Sequence, residues 1–207
     1  MNINELIENL SIDSRTNESL NLLTDIVVDT PDELIDELIK LISSPHKISD
    51  TNAFASLISD LPSERYIAPL VREISTSVVG ETLWLADYMR ALGHILDELE
   101  DPYVPEDSFV DLLGEWLLKT GGGEISWKSA ILLVQLKHPK CLSYYEQGVQ
   151  LQGLFFLSRI ECLKGLVNEC GREYMKLYQE LLNDPQEEIR EAAKDVINWL
   201  NQEDRQV

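Results

Sequence analysis

The sequence predicts an all-α protein, an α-α superhelix of stacked antiparallel helix pairs, with a compact helical bundle as the alternative. Apolar residues recur at helical spacing along nearly the whole chain, and the alternating pattern typical of strands is almost absent. The chain has 207 residues, of which 44% are hydrophobic, so it is long enough to bury a sizeable core. We therefore expect residues 1–207 to form a single all-helical domain of stacked helix pairs.

Two helix starts stand out in the sequence. The runs 30–33 and 184–187 each place an N-cap residue, a proline at the first helical position and a capping glutamate in that order. The second run precedes an apolar stripe of Ile189, Ala192, Ala193, Val196, Ile197 and Leu200. This stripe predicts a helix over about 186–200 that packs on the helix before it.

Helical periodicity predicts that the remaining elements are helices. The clearest apolar stripe among them is formed by Leu85, Met89, Leu92, Leu96 and Leu99. These helices span residues 3–10, 18–29, 50–59, 64–76, 83–99, 106–119, 126–137, 147–168 and 172–182. Helix–turn–helix units follow at 64–99, 106–137 and 172–200, with an irregular unit at 141–170. Since one helix pair cannot bury its apolar stripe alone, we expect the units to stack on one another.

A family resemblance appears in the last unit. The run LYQELLNDPQEEIREAAKDVINWL, residues 177–200, resembles a HEAT repeat: an apolar helix end, Asp184 in the turn, then Ile189, Arg190 and Ala192. In that family, the resemblance implies, the turn Asp and the following Arg link neighbouring repeats in a ladder. The resemblance also implies that the small Ala192 allows close contact between helices. Segment 126–136 shares a small Ala130 but lacks the Ile-Arg pair.

Negative charge is concentrated in the first part of the chain. The protein has 37 acidic and 17 basic residues, a formal charge of −20, and residues 1–120 hold 24 acidic and 7 basic residues, a net charge of −17. Such a charge repels nucleic acid phosphates and anionic lipids, so we expect no binding to nucleic acid or membrane. Basic proteins are the expected partners, and a merely solubilising acidic face is the alternative.

A candidate partner-binding surface lies in the stretch 91–118, which contains no Lys or Arg. Its carboxylates would bind cations, and two of its aromatic side chains would anchor the contact. The predicted residues are Asp97, Glu98, Glu100, Asp101, Tyr103, Glu106, Asp107, Asp111, Glu115 and Trp116. A calcium-binding EF-hand does not fit, because Leu99 takes a ligand position and Pro102 takes the position of the turn glycine.

No motif indicates catalysis, a cofactor or a metal. The run GGEISWKS at 122–129 fails as a phosphate-binding loop because Trp127 stands where the second glycine is needed. The cysteines, Cys141, Cys162 and Cys170, lack C-x-x-C spacing, so we expect reduced, metal-free thiols. A zinc site that adds His138 to them is the less favoured alternative. With no G-x-S-x-G motif, we expect a protein that is not an enzyme.

Two function hypotheses follow. The opening MNINELIENL has no basic residue and no long apolar run, which predicts a cytoplasmic protein without a targeting or membrane segment. A small, acidic, helical chain of this type is similar to bacterial immunity proteins, a resemblance that implies occlusion of a basic toxin, such as a nuclease. The alternative is a HEAT-like scaffold or adaptor subunit with an unrelated partner. A helical enzyme with scattered catalytic residues is the third and least favoured class.

Overall fold

The computed structural model describes residues 32–48, 50–120, 123–153 and 156–203. These residues form α-helices joined by short turns and contain no β-strand, which confirms the all-α prediction. The chain packs as two compact units, unit 1 (Met1–Tyr103) and unit 2 (Val104–Val207). The single domain of 1–207 remains a prediction.

Unit 1 contains helices α1 (Asp32–Ile42), α2 (Thr51–Asp60), α3 (Ile67–Thr76) and α4 (Leu85–Asp97), with 3-10 turns at Pro45–Lys47 and Glu64–Tyr66. Helix α1 packs against α3, α2 packs against α4, and α3 packs against α4. The predicted helices at 3–10 and 18–29 and the cap at 30–31 lie outside the described residues.

The core of unit 1 is held by apolar faces and one buried hydrogen bond. Helix α1 buries Leu34, Leu38 and Ile42, which lie on one face of the helix at i, i+4 and i+8. The hydroxyl of buried Tyr88 in α4 donates to the carbonyl oxygen of Ile42 at 3.2 Å. This bond gives the buried hydroxyl a hydrogen-bond acceptor and links α4 to the last residue of α1.

Unit 2 contains helices α5 (Asp107–Lys119), α6 (Glu124–Leu136), α7 (Cys141–Gly148), α8 (Phe156–Cys170), α9 (Met175–Leu181) and α10 (Glu187–Glu203), with a 3-10 turn at Gly171–Tyr174. Successive pairs α5–α6, α7–α8 and α9–α10 each pack together. Helix α8 also contacts α6 and α10, and α7 contacts α5. The second helices of successive pairs therefore lie side by side.

The predicted single helix over 147–168 is wrong. The chain instead forms α7 and α8, which are separate helices that pack on each other. At the end of α7, Gly148 lies so close to Cys162 of α8 that a Cβ there would stand 2.3 Å from the Cys162 Sγ. Beyond it, Gly153 adopts φ 124°, a conformation that favours glycine and interrupts a helix.

The predicted packing of the last helix is confirmed. Helix α10 contacts α9 and α8, and it buries Ile189, Ala193 and Leu200. The start of α10 differs from the predicted capping arrangement, because the helix begins at Glu187 and Pro185 is therefore not its first residue. The Asp184 carboxylate accepts from the Gln186 N–H at 2.9 Å. The Asp184 N–H donates to the Leu181 carbonyl at 3.1 Å and is therefore not available to a capping glutamate.

None of the helices in the described part of the chain has the length and apolar character required to cross a membrane.

Candidate functional site

The predicted acidic surface is divided between the two units. Unit 1 carries Asp97, Glu98, Glu100, Asp101 and Tyr103, and unit 2 carries Glu106, Asp107, Asp111, Glu115 and Trp116. The two groups differ in their surroundings.

The unit 1 carboxylates follow directly on the end of α4. The helix ends at Asp97, and the N–H of the next residue, Glu98, donates to the Ile95 carbonyl at 3.2 Å. Glu98, Glu100 and Asp101 are all exposed. A helix C-terminus carries partial negative charge, so carboxylates here add to that charge instead of offsetting it. The end of α4 is therefore a region of concentrated negative potential.

A cavity of about 320 Å³ opens between this segment and the turn after α2. Leu99 and Pro62 give the cavity its apolar surface, and the buried Ile95 lies behind them in the lining. The full lining is Pro62, Ser63, Glu64, Ile95, Glu98, Leu99, Glu100 and Asp101. We call the four carboxylates of this lining, Glu64, Glu98, Glu100 and Asp101, the acidic rim.

The 3-10 turn after α2 brings Glu64 to the cavity. The Ser63 hydroxyl accepts from the Arg65 N–H at 3.3 Å, which caps the turn Glu64–Tyr66. The Arg65 side chain turns to α1, where it lies 3.2 Å from the Asp32 carboxylate and also contacts that of Asp36. Arg65, the cation next to Glu64 in the sequence, therefore pairs with carboxylates of α1 and not with Glu64.

The acidic rim has no cationic partner among the residues that the structure describes. An arginine or lysine side chain from another protein fits this arrangement chemically, because its apolar stem can lie on Leu99 and Pro62 while its charge meets the carboxylates. The sequence pattern did not reveal Glu64 as part of the site. Its only local signal is the capping residue before it, and the approach of residue 64 to residues 98–101 has no local signature.

In unit 2, two of the predicted carboxylates are bound within the protein. Lys140 Nζ lies 3.0 Å from Asp107 and 2.8 Å from Asp111. The Tyr144 hydroxyl donates to Asp111 at 2.9 Å, and His138 Nε2 lies 3.3 Å from Asp107. The hydrogen bonds from Lys140 and Tyr144 lower the pKa of Asp111, and its carboxylate in turn raises the pKa of Lys140. Both carboxylates are therefore already paired with a cation within unit 2.

The other unit 2 candidates are also engaged. Glu115 pairs with Lys119 at 2.7 Å, and the Ser108 hydroxyl donates weakly to Glu106 at 3.4 Å. Trp116 is 8% exposed and belongs to the core of unit 2, so it presents little surface to a partner. Glu98, Glu100 and Asp101 of unit 1, which are exposed and form no ion pair with a described residue, are therefore the more available part of the predicted surface.

The described residues include no group of three or more His, Cys, Asp or Glu placed to hold a metal ion. Cys141 and Cys162 are buried free thiols, and Cys170 is half-buried. Of the glycine run at 122–129, Gly122 lies outside the described residues, and α6 begins at Glu124.

Comparisons of the chain with protein-family models, curated proteins and solved structures found no match.

Proposed function

We propose that this protein is a non-enzymatic protein-binding module that captures a basic protein through the acidic rim of unit 1. The observation that carries the proposal is four carboxylates that pair with no cation among the described residues, grouped around a cavity at the negative end of α4. In this proposal the protein uses no cofactor, and it contacts neither nucleic acid nor membrane.

The position of the acidic rim favours a binding role over simple solubilisation. A carboxylate at a helix C-terminus disfavours folding by about 0.3–1 kcal/mol, whereas the same group elsewhere on the surface solubilises at no such cost. A cation from a partner would be attracted both to the carboxylates and to the negative helix end, so the same grouping that is unfavourable in the free protein would be favourable in the complex. The arrangement thus disfavours the free protein slightly and favours the complex.

We propose further that the protein is a cytoplasmic immunity or inhibitor protein for a basic toxin of the nuclease type. A nuclease cleft is lined with cations that hold phosphates, and carboxylates grouped on one surface can take the places of those phosphates. Occlusion of the cleft would then block the substrate. The formal charge of −20 supports this proposal, because it accelerates encounter with a cationic partner.

A HEAT-like scaffold or adaptor subunit is the second candidate, and a specific contact favours it. Asp184, in the turn between α9 and α10, pairs with Arg159 of the preceding helix pair. Arg190 Nη1 donates to the carbonyls of its own turn, Asp184 at 2.8 Å and Pro185 at 3.0 Å. A turn Asp that links neighbouring pairs supports the HEAT resemblance, although Arg190 serves its own turn instead of the next pair.

The test compares three tagged proteins in affinity capture from the source cells, followed by mass spectrometry. The first is the wild type, and the second is the rim variant with Glu64, Glu98 and Glu100 changed to Gln and Asp101 to Asn. The matched control changes Glu169, Glu173 and Glu191 to Gln and Asp195 to Asn, four exposed unit 2 carboxylates with the same total charge. We expect a basic protein to be retained by the wild type and the control and lost by the rim variant.

Equal retention of every captured protein by all three would overturn the role of the acidic rim. The retained protein is then purified and assayed with and without its captor. Loss of a nuclease or other toxic activity in the complex supports the immunity proposal. Unchanged activity in a stable complex supports the scaffold.

A further inference from the structure

Unit 2 has a second cleft, separate from the acidic rim. It has a volume of about 760 Å³ and lies between the end of α5, helix α7, the 3-10 turn Gly171–Tyr174 and α9. The half-buried side chains of Leu118, Leu151 and Leu177 contribute its apolar surface. The cleft is shallow and open to solvent, and its volume is in the range of small-molecule sites, which combine apolar walls with a few placed polar groups.

One charged group lines this cleft among the described residues, the carboxylate of Glu146. The Tyr174 hydroxyl donates a hydrogen bond to Glu146 Oε1. This bond raises the pKa of Tyr174 to about 12, so the phenol remains a donor near neutral pH. The bond also orients the carboxylate and leaves its second oxygen, Oε2, to accept from a ligand.

Glu146 forms no ion pair with another described residue. The remaining polar lining includes the side-chain amide of Gln150, which is neutral. An anionic ligand would meet the Glu146 carboxylate and the overall negative charge, so it is disfavoured. A hard metal cation would need several oxygen ligands, whereas one carboxylate is available.

The geometry points to a binding site for an alkylammonium group, with Glu146 Oε2 as the acceptor for the ammonium and the three leucines as the surface for the alkyl chain. The group can belong to a free aliphatic amine or to a lysine side chain of a protein. This inference does not depend on the acidic rim, which lies in unit 1 and shares no residue with the cleft.

The experiment is a titration of ¹⁵N-labelled full-length protein followed by NMR at near-physiological salt, which suppresses unspecific attraction to the acidic surface. The probes are n-hexylammonium chloride, Nα-acetyl-lysine-N-methylamide and sodium hexanoate. We expect saturable shifts for at least one of the two ammonium probes, centred on the backbone amides of Glu146, Leu151 and Leu177. Tighter binding of hexylammonium would indicate a free aliphatic amine as the ligand, and tighter binding of the lysine derivative would indicate a lysine side chain of a protein. Hexanoate should cause no saturable shift.

Two variants test the assigned roles. Glu146→Gln keeps an acceptor for Tyr174 but removes the charge, so we expect the affinity for the ammonium probe to fall at least tenfold. Tyr174→Phe keeps the charge but loses its orientation, so we expect a smaller loss. Glu191→Gln, an exposed position on α10, is the matched control and should bind as the wild type does. Thermal unfolding of each variant shows whether the fold is retained.

The inference is overturned by any of three results: neither ammonium probe saturates, hexanoate binds as tightly as hexylammonium, or Glu146→Gln binds as tightly as the wild type.

Discussion

The guanidinium of Arg159 in α8 donates to both carboxylate oxygens of Asp184, with Nη1 to Oδ1 at 3.0 Å and Nη2 to Oδ2. Both residues are buried, with 3% and 9% of their surface exposed. Arg159 Nε also donates to the Val149 carbonyl at 2.9 Å, and Nη1 to Gln186 Oε1 at 2.9 Å. One side chain of α8 thus connects the segment after α7 with the turn before α10.

Removal of one partner of this pair should destabilise the protein strongly. We expect Asp184→Ala to lower the free energy of unfolding by about 3–5 kcal/mol, because it leaves the Arg159 charge buried and unpaired. Urea denaturation measures the change. The double variant Arg159→Met with Asp184→Leu is the control, because it removes both charges and should recover part of the loss. A single variant with wild-type stability would contradict the prediction.

The same pair should make stability dependent on acidic pH. The hydrogen bond from Arg159 is the main cause that lowers the pKa of Asp184 in the folded protein. Because the unfolded chain has an ordinary carboxyl pKa of about 4, ionised Asp184 stabilises the fold above that pH. Its contribution is lost as the pH falls further, through the lower pKa of the folded state. The difference in unfolding free energy between wild type and Asp184→Asn should therefore shrink below about pH 4. A constant difference would contradict this.

The face that α10 buries can be tested by one substitution. Ala193 has 0% of its surface exposed, so Ala193→Asp places an unpaired carboxylate between packed helices. We expect a loss of roughly 3 kcal/mol or more in unfolding free energy. Asn198→Asp adds the same charge on the exposed side of α10 and should change stability by less than about 1 kcal/mol. Equal melting temperatures for the two variants would show that the assigned face is incorrect.

The three cysteines should differ in reactivity. Burial raises the pKa of the Cys162 thiol to about 12 and also raises that of Cys141, and the pKa of Cys170 is raised by partial burial and by nearby carboxylates, so access of the reagent decides the difference. Cys170 is only half-buried. A brief iodoacetamide pulse on the native protein should label Cys170 alone, and all three should be labelled in urea, as mass spectrometry of the peptides will show. Labelling of Cys162 in the native state at the same rate as Cys170 would contradict its burial.

Association with the captured basic protein should depend on salt through the acidic rim. We expect the association rate constant of the wild type to fall several-fold between about 50 and 150 mM salt, with a smaller change in dissociation. The rim variant should associate slowly at both salt concentrations. A second variant neutralises the predicted unit 2 carboxylates Glu106, Asp107, Asp111 and Glu115, which are already paired or hydrogen-bonded within the protein, and it should have the smaller effect. Equal effects of the two variants would mean that net charge alone controls association.

The elements that depend on local periodicity could be predicted from the sequence. Helix α4 was expected over 83–99 and forms Leu85–Asp97, because its stripe of apolar residues is continuous. The break between α7 and α8 could not be predicted in this way. It accompanies a contact between Gly148 and Cys162, residues of two different helices, which periodicity along one helix does not encode.

The candidate site shows the same division between local and long-range information. The sequence identified the carboxylates after α4 as a one-signed run. It did not indicate that Lys140, 29 positions after Asp111, would bind that carboxylate, nor that Glu64 would line the same cavity as Glu98. Charge counts along a sequence predict which residues are acidic, but the fold decides which carboxylates remain without a cation.

Because of the carboxylates at the end of α4, added salt should affect the stability of the free protein and its association with a basic protein in opposite directions. Dissolved ions screen the repulsion among Glu98, Glu100, Asp101 and the negative helix end, so added salt favours the folded unit. The same ions screen the attraction that would draw in a basic protein. If the proposed basic partner binds here, the salt concentration that best stabilises the isolated protein is also the one at which association is slowest, so storage and binding measurements need different ionic strengths.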